Sequence, residues 1–251
     1  GLSVMPVNFV AADNTDKKQI MVSLGDSYSS GEGIEPFYGQ DDSISKKINN
    51  PDWLAHRSQN AWPGMLSLSS VSKRMSEYKD EYWFFAAASE AVTHNMLNGL
   101  NKDYKKGRYF GSYELPAQLS VFDGLEAGSV KYVTLTLGGN DAGFEDIIKT
   151  SILSGKYLNP NALADKMNNT WENFFKSGGI RDNLYNAYVN IAKKAGKQAH
   201  IIVAGYPKLL NPEGAFMISP EEAALVNENV TKFNNAIQSI IKSCQGQGMQ
   251  I

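Results

Sequence analysis

The chain has 251 residues, of which 42% are hydrophobic and 20% are charged, a composition typical of a globular protein with a sizeable core. Its net charge of −2 provides no basic field for nucleic acid or for an anionic membrane, so we expect neither partner. The single cysteine, Cys244, excludes an internal disulfide. The three histidines and this cysteine show no ligand spacing, so we expect no metal site and no cofactor.

Residues 1–18 are predicted to form an N-terminal tail, and residues 19–251 one folded domain. The segment from Leu2 to Asp13 is apolar and ends in Val-Ala-Ala before a polar stretch, as the end of a secretory signal does. An ordinary N-terminal strand or arm is the alternative. The signal-like segment predicts a secreted or cell-surface protein.

Four short apolar runs predict buried parallel strands, and helical patterns lie between them. The strand runs are Ile20–Leu24, Tyr82–Ala88, Lys131–Leu137 and Ala199–Gly205. Residues 34–60 are predicted to form a long loop. The predicted helices are 61–78, a helix capped by Ser89 through Leu97, 115–125, an irregular stretch 144–175, a helix ending at Gly196, and 220–243 after a capping box at Ser219. This alternation predicts a layered α/β fold with a parallel sheet.

The last residues, Met249-Gln250-Ile251, look like the start of a fifth strand. A chain end inside a sheet would bury a carboxylate at high cost. We therefore expect the C-terminal strand to be missing from this sequence, and a C-terminal segment or a second chain to complete the sheet. A frayed tail after the last helix is the alternative.

Polar residues follow three of the predicted strands at one edge of the sheet: Ser27, Ser89-Glu90 and Gly139-Asn140. Adjacent strands lie about 4.8 Å apart, so these loops can converge on one crevice. Acyl transfer needs a nucleophile and donors aimed at the developing oxyanion. Ser27 is the candidate nucleophile, and the N–H groups of Ser27 and Glu90 with the Asn140 amide are candidate oxyanion-hole donors. The alternatives are a Gly/Ser turn without chemistry and a turn role for Asn140.

Two of these segments carry a family resemblance. The motifs Gly25-Asp26-Ser27-Tyr28-Ser29-Ser30-Gly31 and Gly138-Gly139-Asn140-Asp141 resemble blocks I and III of the GDSL or SGNH hydrolases, closest to their secreted lipase and esterase branch. Further similar segments are His56-Arg57-Ser58, Ala61-Trp62-Pro63, Ala88-Ser89-Glu90-Ala91 as block II, and Gly205-Tyr206-Pro207.

The resemblance implies a three-layer, flavodoxin-like fold with a central parallel sheet, and hydrolysis of carboxylic esters through an acyl-serine intermediate. It makes Ser27 the nucleophile and Asn140 an oxyanion donor. The implied substrate is a small-molecule ester or the ester of a glycan or lipid. Phe37, Tyr38 and Trp53 of the long loop are candidates for substrate binding, with core packing as the alternative for each.

The sequence departs from the family in two places. Block II has glycine where this chain has Glu90, whose side chain either points into the crevice or projects to solvent from the first turn of a helix. In the crevice it would oppose the oxyanion or bind a cationic or sugar substrate.

The second departure concerns the general base that takes the serine proton. In the family it is a histidine of an Asp-x-x-His block after strand five. This sequence has no such block, so the base is expected beyond Ile251. Of the histidines present, His200 begins strand four at the opposite end of the sheet, His94 is expected to pair with Glu90, and His56 lies in the long loop, from which it could reach the crevice.

Two other enzyme classes fit poorly. The α/β-hydrolase elbow Gly-x-Ser-x-Gly fails because Ser29 takes its last position. Neither Gly-x-Gly-x-x-Gly nor a Walker lysine follows the first strand, as a nucleotide-binding domain would require. The remaining alternative is a non-catalytic binding or scaffold protein with the same fold, which Glu90 and the missing histidine favour.

Overall fold

The structure is a computed structural model that describes residues 19–69, 73–106, 109–154, 161–214 and 218–251. The predicted tail, residues 1–18, and the signal-like segment within it lie outside the described residues. Within the described part of the chain, no helix is long and apolar enough to cross a membrane.

A central parallel sheet organises the fold. In chain order the described strands are β1 Ile20–Gly25, β2 Trp83–Phe85, β3 Leu100–Lys106, β4 Tyr109–Leu115, β5 Val130–Thr136 and β6 His200–Val203. The sheet has the order β2-β1-β5-β6, with Val22 beside Phe84 on one side and beside Val133 on the other. All three pairings are parallel, which confirms the four predicted strands. The order matches the first four strands of a flavodoxin-like sheet.

The described α-helices connect these strands and cover the sheet. They are α1 Ser27–Ser30, α2 Ile44–Lys47, α3 Pro51–Leu54, α4 Phe144–Ser154, α5 Ala162–Phe175, α6 Ile180–Ala195 and α7 Pro220–Gly246. Helix α7 begins at the predicted capping box, where the Glu222 N–H donates to Ser219 Oγ at 3.1 Å and Ser219 N–H donates to Glu222 Oε1 at 3.4 Å. Gly196 ends α6, as predicted.

Apolar residues cover both faces of the sheet, which gives three layers. On one face, Val22 and Leu135 belong to a cluster with Leu184 of α6 and Phe233 of α7. On the other face, Met21, Trp83 and Phe85 pack with residues of the 61–78 segment, among them Ala61, Leu68 and Met75. The strands are therefore buried from both sides, as their continuous apolar runs predict.

The predicted helix 61–78 is wrong. The described residues of this segment form two short 3₁₀ turns, Trp62–Met65 and Met75–Tyr78. Pro63 and Gly64 both disfavour a continuing α-helix. Gly64 also packs so closely under the Trp83 ring that a Cβ at this position would lie 2.9 Å from a ring carbon. The segment therefore packs closely against Trp83 of β2 in short 3₁₀ turns and does not form a continuous helix.

Two more helix predictions need correction. The predicted helix from Ser89 through Leu97 is replaced by a turn and the 3₁₀ turn Thr93–Met96, because Glu90 has a left-handed φ of 72° that no α-helix contains. The predicted helix 115–125 is a 3₁₀ helix, Gln118–Gly124.

The antiparallel hairpin of β3 and β4 was not predicted. It pairs Asn101 with Glu114 and Asp103 with Ser112. Its base is packed, since Leu100 and Leu115 belong to one apolar cluster with Leu54 of α3 and with Ala88 and Ala91 after β2. The hairpin therefore lies against the loop that follows β2.

At the end of the chain, the Ile201 N–H donates to the Gln250 carbonyl oxygen at 2.8 Å. Gln250 thus lies beside β6, where the predicted fifth strand would start. Residues 249–251 are not assigned to a strand, and the missing C-terminal strand remains a prediction.

The junction of β1 and α1 gives the first testable prediction. Gly25 has φ +119°, and a Cβ there would collide with the carbonyl oxygen of Thr136 and lie 2.9 Å from its nitrogen. Gly25→Ala should therefore lower the free energy of unfolding by about 3 kcal/mol or more. Gly128→Ala is the matched control, because Gly128 has φ +83° and no atom near its Cβ position. The control should cost about 1 kcal/mol, measured by chemical denaturation, and equal losses would contradict the packing account.

Candidate functional site

Three loops meet at the carboxyl ends of β1, β2 and β5. Ser27 Oγ lies 3.2 Å from Ser89 Oγ and accepts a hydrogen bond from the Glu90 N–H at 3.3 Å. The Asn140 side-chain amide donates to the Ala91 carbonyl oxygen at 2.9 Å. The structure therefore brings together the three loops that the sequence places at one sheet edge. Strands β1 and β5 are also where the strand order reverses, which is where open α/β sheets bind ligands.

A buried carboxyl lies directly beneath Ser27. Asp26 is 1% exposed and accepts hydrogen bonds from the Tyr28 N–H at 3.0 Å and from Thr136 Oγ1 at 2.8 Å. A third bond comes from the Tyr206 hydroxyl. These bonds tie the Ser27 turn to the end of β5 and to the loop after β6.

Tyr206 extends this network. Its hydroxyl also accepts a hydrogen bond from the Gly139 N–H at 2.9 Å, so one side chain contacts the loops that carry Ser27 and Asn140. Its backbone N–H and carbonyl form hydrogen bonds of 2.8 Å with the Asn234 side chain of α7. Helix α7 thereby holds Tyr206 in place.

Burial shifts the pKa values of Asp26 and Tyr206. It raises the pKa of Asp26 from 3.8 to about 6, although the bonds from Tyr206, Thr136 and Tyr28 favour the carboxylate. Burial also raises the pKa of Tyr206 well above its usual range, and the neighbouring Asp26 carboxylate adds to that shift. Tyr206 is therefore a neutral donor at every ordinary pH.

Glu90 occupies the position where the GDSL or SGNH hydrolases, which the motifs resemble, have glycine. Its φ of 72° is left-handed, a conformation that costs a residue with a Cβ about 1–2 kcal/mol and costs glycine little. Its side chain is exposed and forms an ion pair with Lys102 of β3 at 2.8 Å. The predicted pair with His94 is wrong, because the His94 ring contacts Asn98 instead, at 3.3 Å. The Glu90 carboxylate therefore leans towards the hairpin, from a turn and not from a helix.

The described contacts of the three histidines do not include Ser27. His56 Nδ1 contacts Glu32 Oε2 at 2.6 Å, and its ring stacks on Phe37 with centroids 4.8 Å apart. His200 begins β6 at the far end of the sheet, as predicted. Among the hydrogen bonds of the described residues, none joins Ser27 to a histidine.

A cavity of about 290 Å³ lies beside Glu90, between the long loop and the hairpin. It is lined by Trp53, Leu54, His56, Glu90, Asn101, Lys102, Asp103 and Tyr104. Of the predicted substrate-binding aromatics, only Trp53 lies in this lining. Phe37 is buried under His56, and the Tyr38 ring packs 4.8 Å from Lys79 Nζ. A larger cavity of about 890 Å³ between α5, α6 and α7 shares no residue with this one.

The sequence alone assigns no role to three residues of the candidate site: Asp26, Tyr206 and Lys102. The Gly-Asp-Ser and Gly-Tyr-Pro motifs point to the first two, but only the fold shows that they are bonded across 180 residues of sequence. Lys102 carries no sequence signal, because it belongs to the hairpin that was not predicted.

Comparison with known proteins finds similarity to lipases. No protein-family model matches the chain. Lipase 1 of Streptomyces coelicolor is 29% identical over 189 residues, which cover 74% of this chain and 52% of that lipase. The chain thus spans about half the length of this relative.

Two solved structures share the fold. Phospholipase A1 from Streptomyces albidoflavus NA297 aligns with a TM-score of 0.60 and 24% identity, over 93% of this chain and 78% of that one. An extracellular lipase from Streptomyces rimosus aligns with a TM-score of 0.59 and 22% identity, over 92% and 78%. The chain is therefore a mixed α/β protein with a central parallel sheet, similar to lipases in sequence and in fold.

The raised pKa of Asp26 predicts how stability depends on pH. The folded protein holds the Asp26 proton up to a pKa of about 6, whereas the unfolded chain releases it at about 3.9. The stabilisation is complete below the lower pKa and is lost as the pH rises through the higher one. Between about pH 4 and pH 7, the wild type should lose up to about 3 kcal/mol relative to Asp26→Asn, whose amide does not titrate.

Chemical denaturation across this pH range measures the difference. Asp123→Asn is the control, because Asp123 is an exposed partner of Lys194 and this variant should follow the wild-type profile. A wild-type free energy of unfolding that stays constant or rises with pH relative to that of Asp26→Asn would refute the shift.

Proposed function

We propose that the chain carries the nucleophile and oxyanion hole of a secreted or cell-surface serine esterase or lipase of the GDSL/SGNH type. The observation that carries this proposal is the 3.3 Å contact between Ser27 Oγ and the Glu90 N–H at the switch point of the sheet. A serine in that position has a backbone donor beside it before any substrate binds. The similarity to lipases supports the same reaction class.

In the proposed reaction, Ser27 Oγ attacks the ester carbonyl carbon and its proton passes to a base. The carbonyl oxygen becomes an oxyanion held by the N–H groups of Ser27 and Glu90 and by the Asn140 amide. The Asn140 amide has two N–H donors, and its bond to Ala91 leaves the second for the substrate. The alcohol departs with the proton, and water then hydrolyses the acyl-serine.

The base is proposed to be a histidine that follows Ile251 in a longer protein. The resembled family places it after strand five, and Gln250 already lies beside β6, where such a strand would start. The S. coelicolor lipase, of which this chain covers 52%, is long enough to contain such a segment. The same segment, or a second chain, would complete the sheet.

The substrate is proposed to be a carboxylic ester of a small molecule, glycan or lipid. Trp53 is the long-loop aromatic that lines the cavity beside Glu90, so it is the best candidate for substrate contact. The cavity also carries charged and amide groups, which suit a polar part of the ester better than a long acyl chain.

The first test of this proposal removes the nucleophile. A version continued past Ile251 should hydrolyse p-nitrophenyl acetate and butyrate, and Ser27→Ala should lower its kcat by about 10⁴-fold or more. Ser120→Ala is the control, because that hydroxyl only bonds the Ala117 carbonyl on the surface. If neither the 251-residue chain nor the longer version hydrolyses these esters, the non-catalytic binding protein is the better account.

The second test removes the side-chain oxyanion donor. Asn140→Ala should lower kcat by about 10²–10³-fold and change KM little, because the amide binds the oxyanion more strongly than the ground-state carbonyl. Steady-state kinetics on p-nitrophenyl butyrate give both constants. A rise in KM at constant kcat would show instead that Asn140 only shapes the pocket.

A further inference from the structure

We propose that Lys102 of the β3–β4 hairpin is a positioning residue that holds and polarises the oxyanion-hole peptide between Ser89 and Glu90. This inference rests on the proposed ester hydrolysis at Ser27. It assigns a role to a hairpin that lies outside the motifs of the site.

The first step concerns the peptide itself. Lys102 Nζ donates to the Ser89 carbonyl oxygen at 3.2 Å, and the Glu90 N–H donates to Ser27 Oγ at 3.3 Å. The carbonyl and the N–H belong to the same peptide group, which is planar, so a bond to the oxygen fixes the direction of the N–H. A cation on the oxygen also polarises the group and strengthens its N–H as a donor.

The second step concerns strain. Glu90 has a Cβ and yet adopts a left-handed conformation. Its side chain is 66% exposed, so little packing holds the turn in place. Such a residue keeps that conformation only when surrounding contacts hold it. Lys102 Nζ supplies one by binding Glu90 Oε2 at 2.8 Å, in addition to the Ser89 carbonyl.

The third step concerns charge. A free Glu90 carboxylate beside the site would repel the oxyanion that forms on the substrate. Lys102 neutralises it, and its side chain is only 11% exposed, so the ammonium is held in place more firmly than a surface lysine. The same ammonium adds positive charge on the side of the peptide that faces away from Ser27.

The packed base of the hairpin supports this lysine. Strands β3 and β4 pair from Leu100–Leu115 outward, and those two residues pack with Ala88 and Ala91 on either side of the peptide. Lys102 lies two residues from this packed base. It therefore has a fixed origin from which to reach Ser89 and Glu90.

The test uses Lys102→Met, Lys102→Arg, Glu90→Gly and the double variant Lys102→Met with Glu90→Gly. The variants are made in whichever version of the protein hydrolyses p-nitrophenyl butyrate. There, Lys102→Met should lower kcat about tenfold with KM within about twofold, a smaller loss than removal of one oxyanion-hole donor causes. Lys102→Arg should keep most of the activity. Adding Glu90→Gly to Lys102→Met should recover most of the loss, because glycine needs no support at this φ.

Lys194→Met is the matched control, since Lys194 forms a surface ion pair with Asp123 remote from the site. A wild-type kcat in Lys102→Met, or a loss that appears only in KM, would overturn the inference while the proposed esterase stands. A double variant as impaired as Lys102→Met would overturn the strain argument.

A second measurement does not depend on hydrolysis. Hydrogen–deuterium exchange of a peptide covering residues 86–93 should be faster in Lys102→Met than in wild type and Lys194→Met, and slow again in Lys102→Arg. Unchanged exchange in Lys102→Met would overturn the inference even if no form of the protein hydrolyses esters, an outcome that would count separately against the proposed function.

Discussion

The buried carboxyl of Asp26 is the constraint on which the site depends. It accepts hydrogen bonds from Thr136 at the end of β5, from the Tyr28 N–H and from the Tyr206 hydroxyl after β6. A buried carboxyl without partners would be costly, so these bonds favour the observed arrangement of the strand ends. Ser27 lies between Asp26 and Tyr28 in the chain, and its position is therefore fixed from both sides before any substrate arrives.

Much of the fold follows from local sequence. Short apolar runs such as Ile20–Leu24 predict parallel strands because both faces of such strands are buried. The capping box at Ser219 fixes the start of α7 because it satisfies the free N–H groups of the first turn. The Gly-Asp-Ser motif and Asn140 identify the site because each follows a strand at the same sheet edge.

The rest depends on contacts between distant residues. The helix expected over 61–78 is absent because the Trp83 ring occupies the space beside Gly64. The hairpin is polar along most of β3, so its sequence lacks the apolar alternation that marks a strand. The left-handed turn at Glu90 follows from no local preference of glutamate, and its partner Lys102 lies 12 residues away on that hairpin.

The proposed function requires that Ser27 forms a covalent acyl intermediate. The most direct measurement is mass spectrometry of the ester-hydrolysing form, quenched in acid during turnover of p-nitrophenyl butyrate and then digested. The proposed mechanism predicts one butyryl group on the peptide that contains Ser27, absent from the Ser27→Ala protein. A butyryl group on another residue, or turnover with Ser27 never acylated, would contradict it.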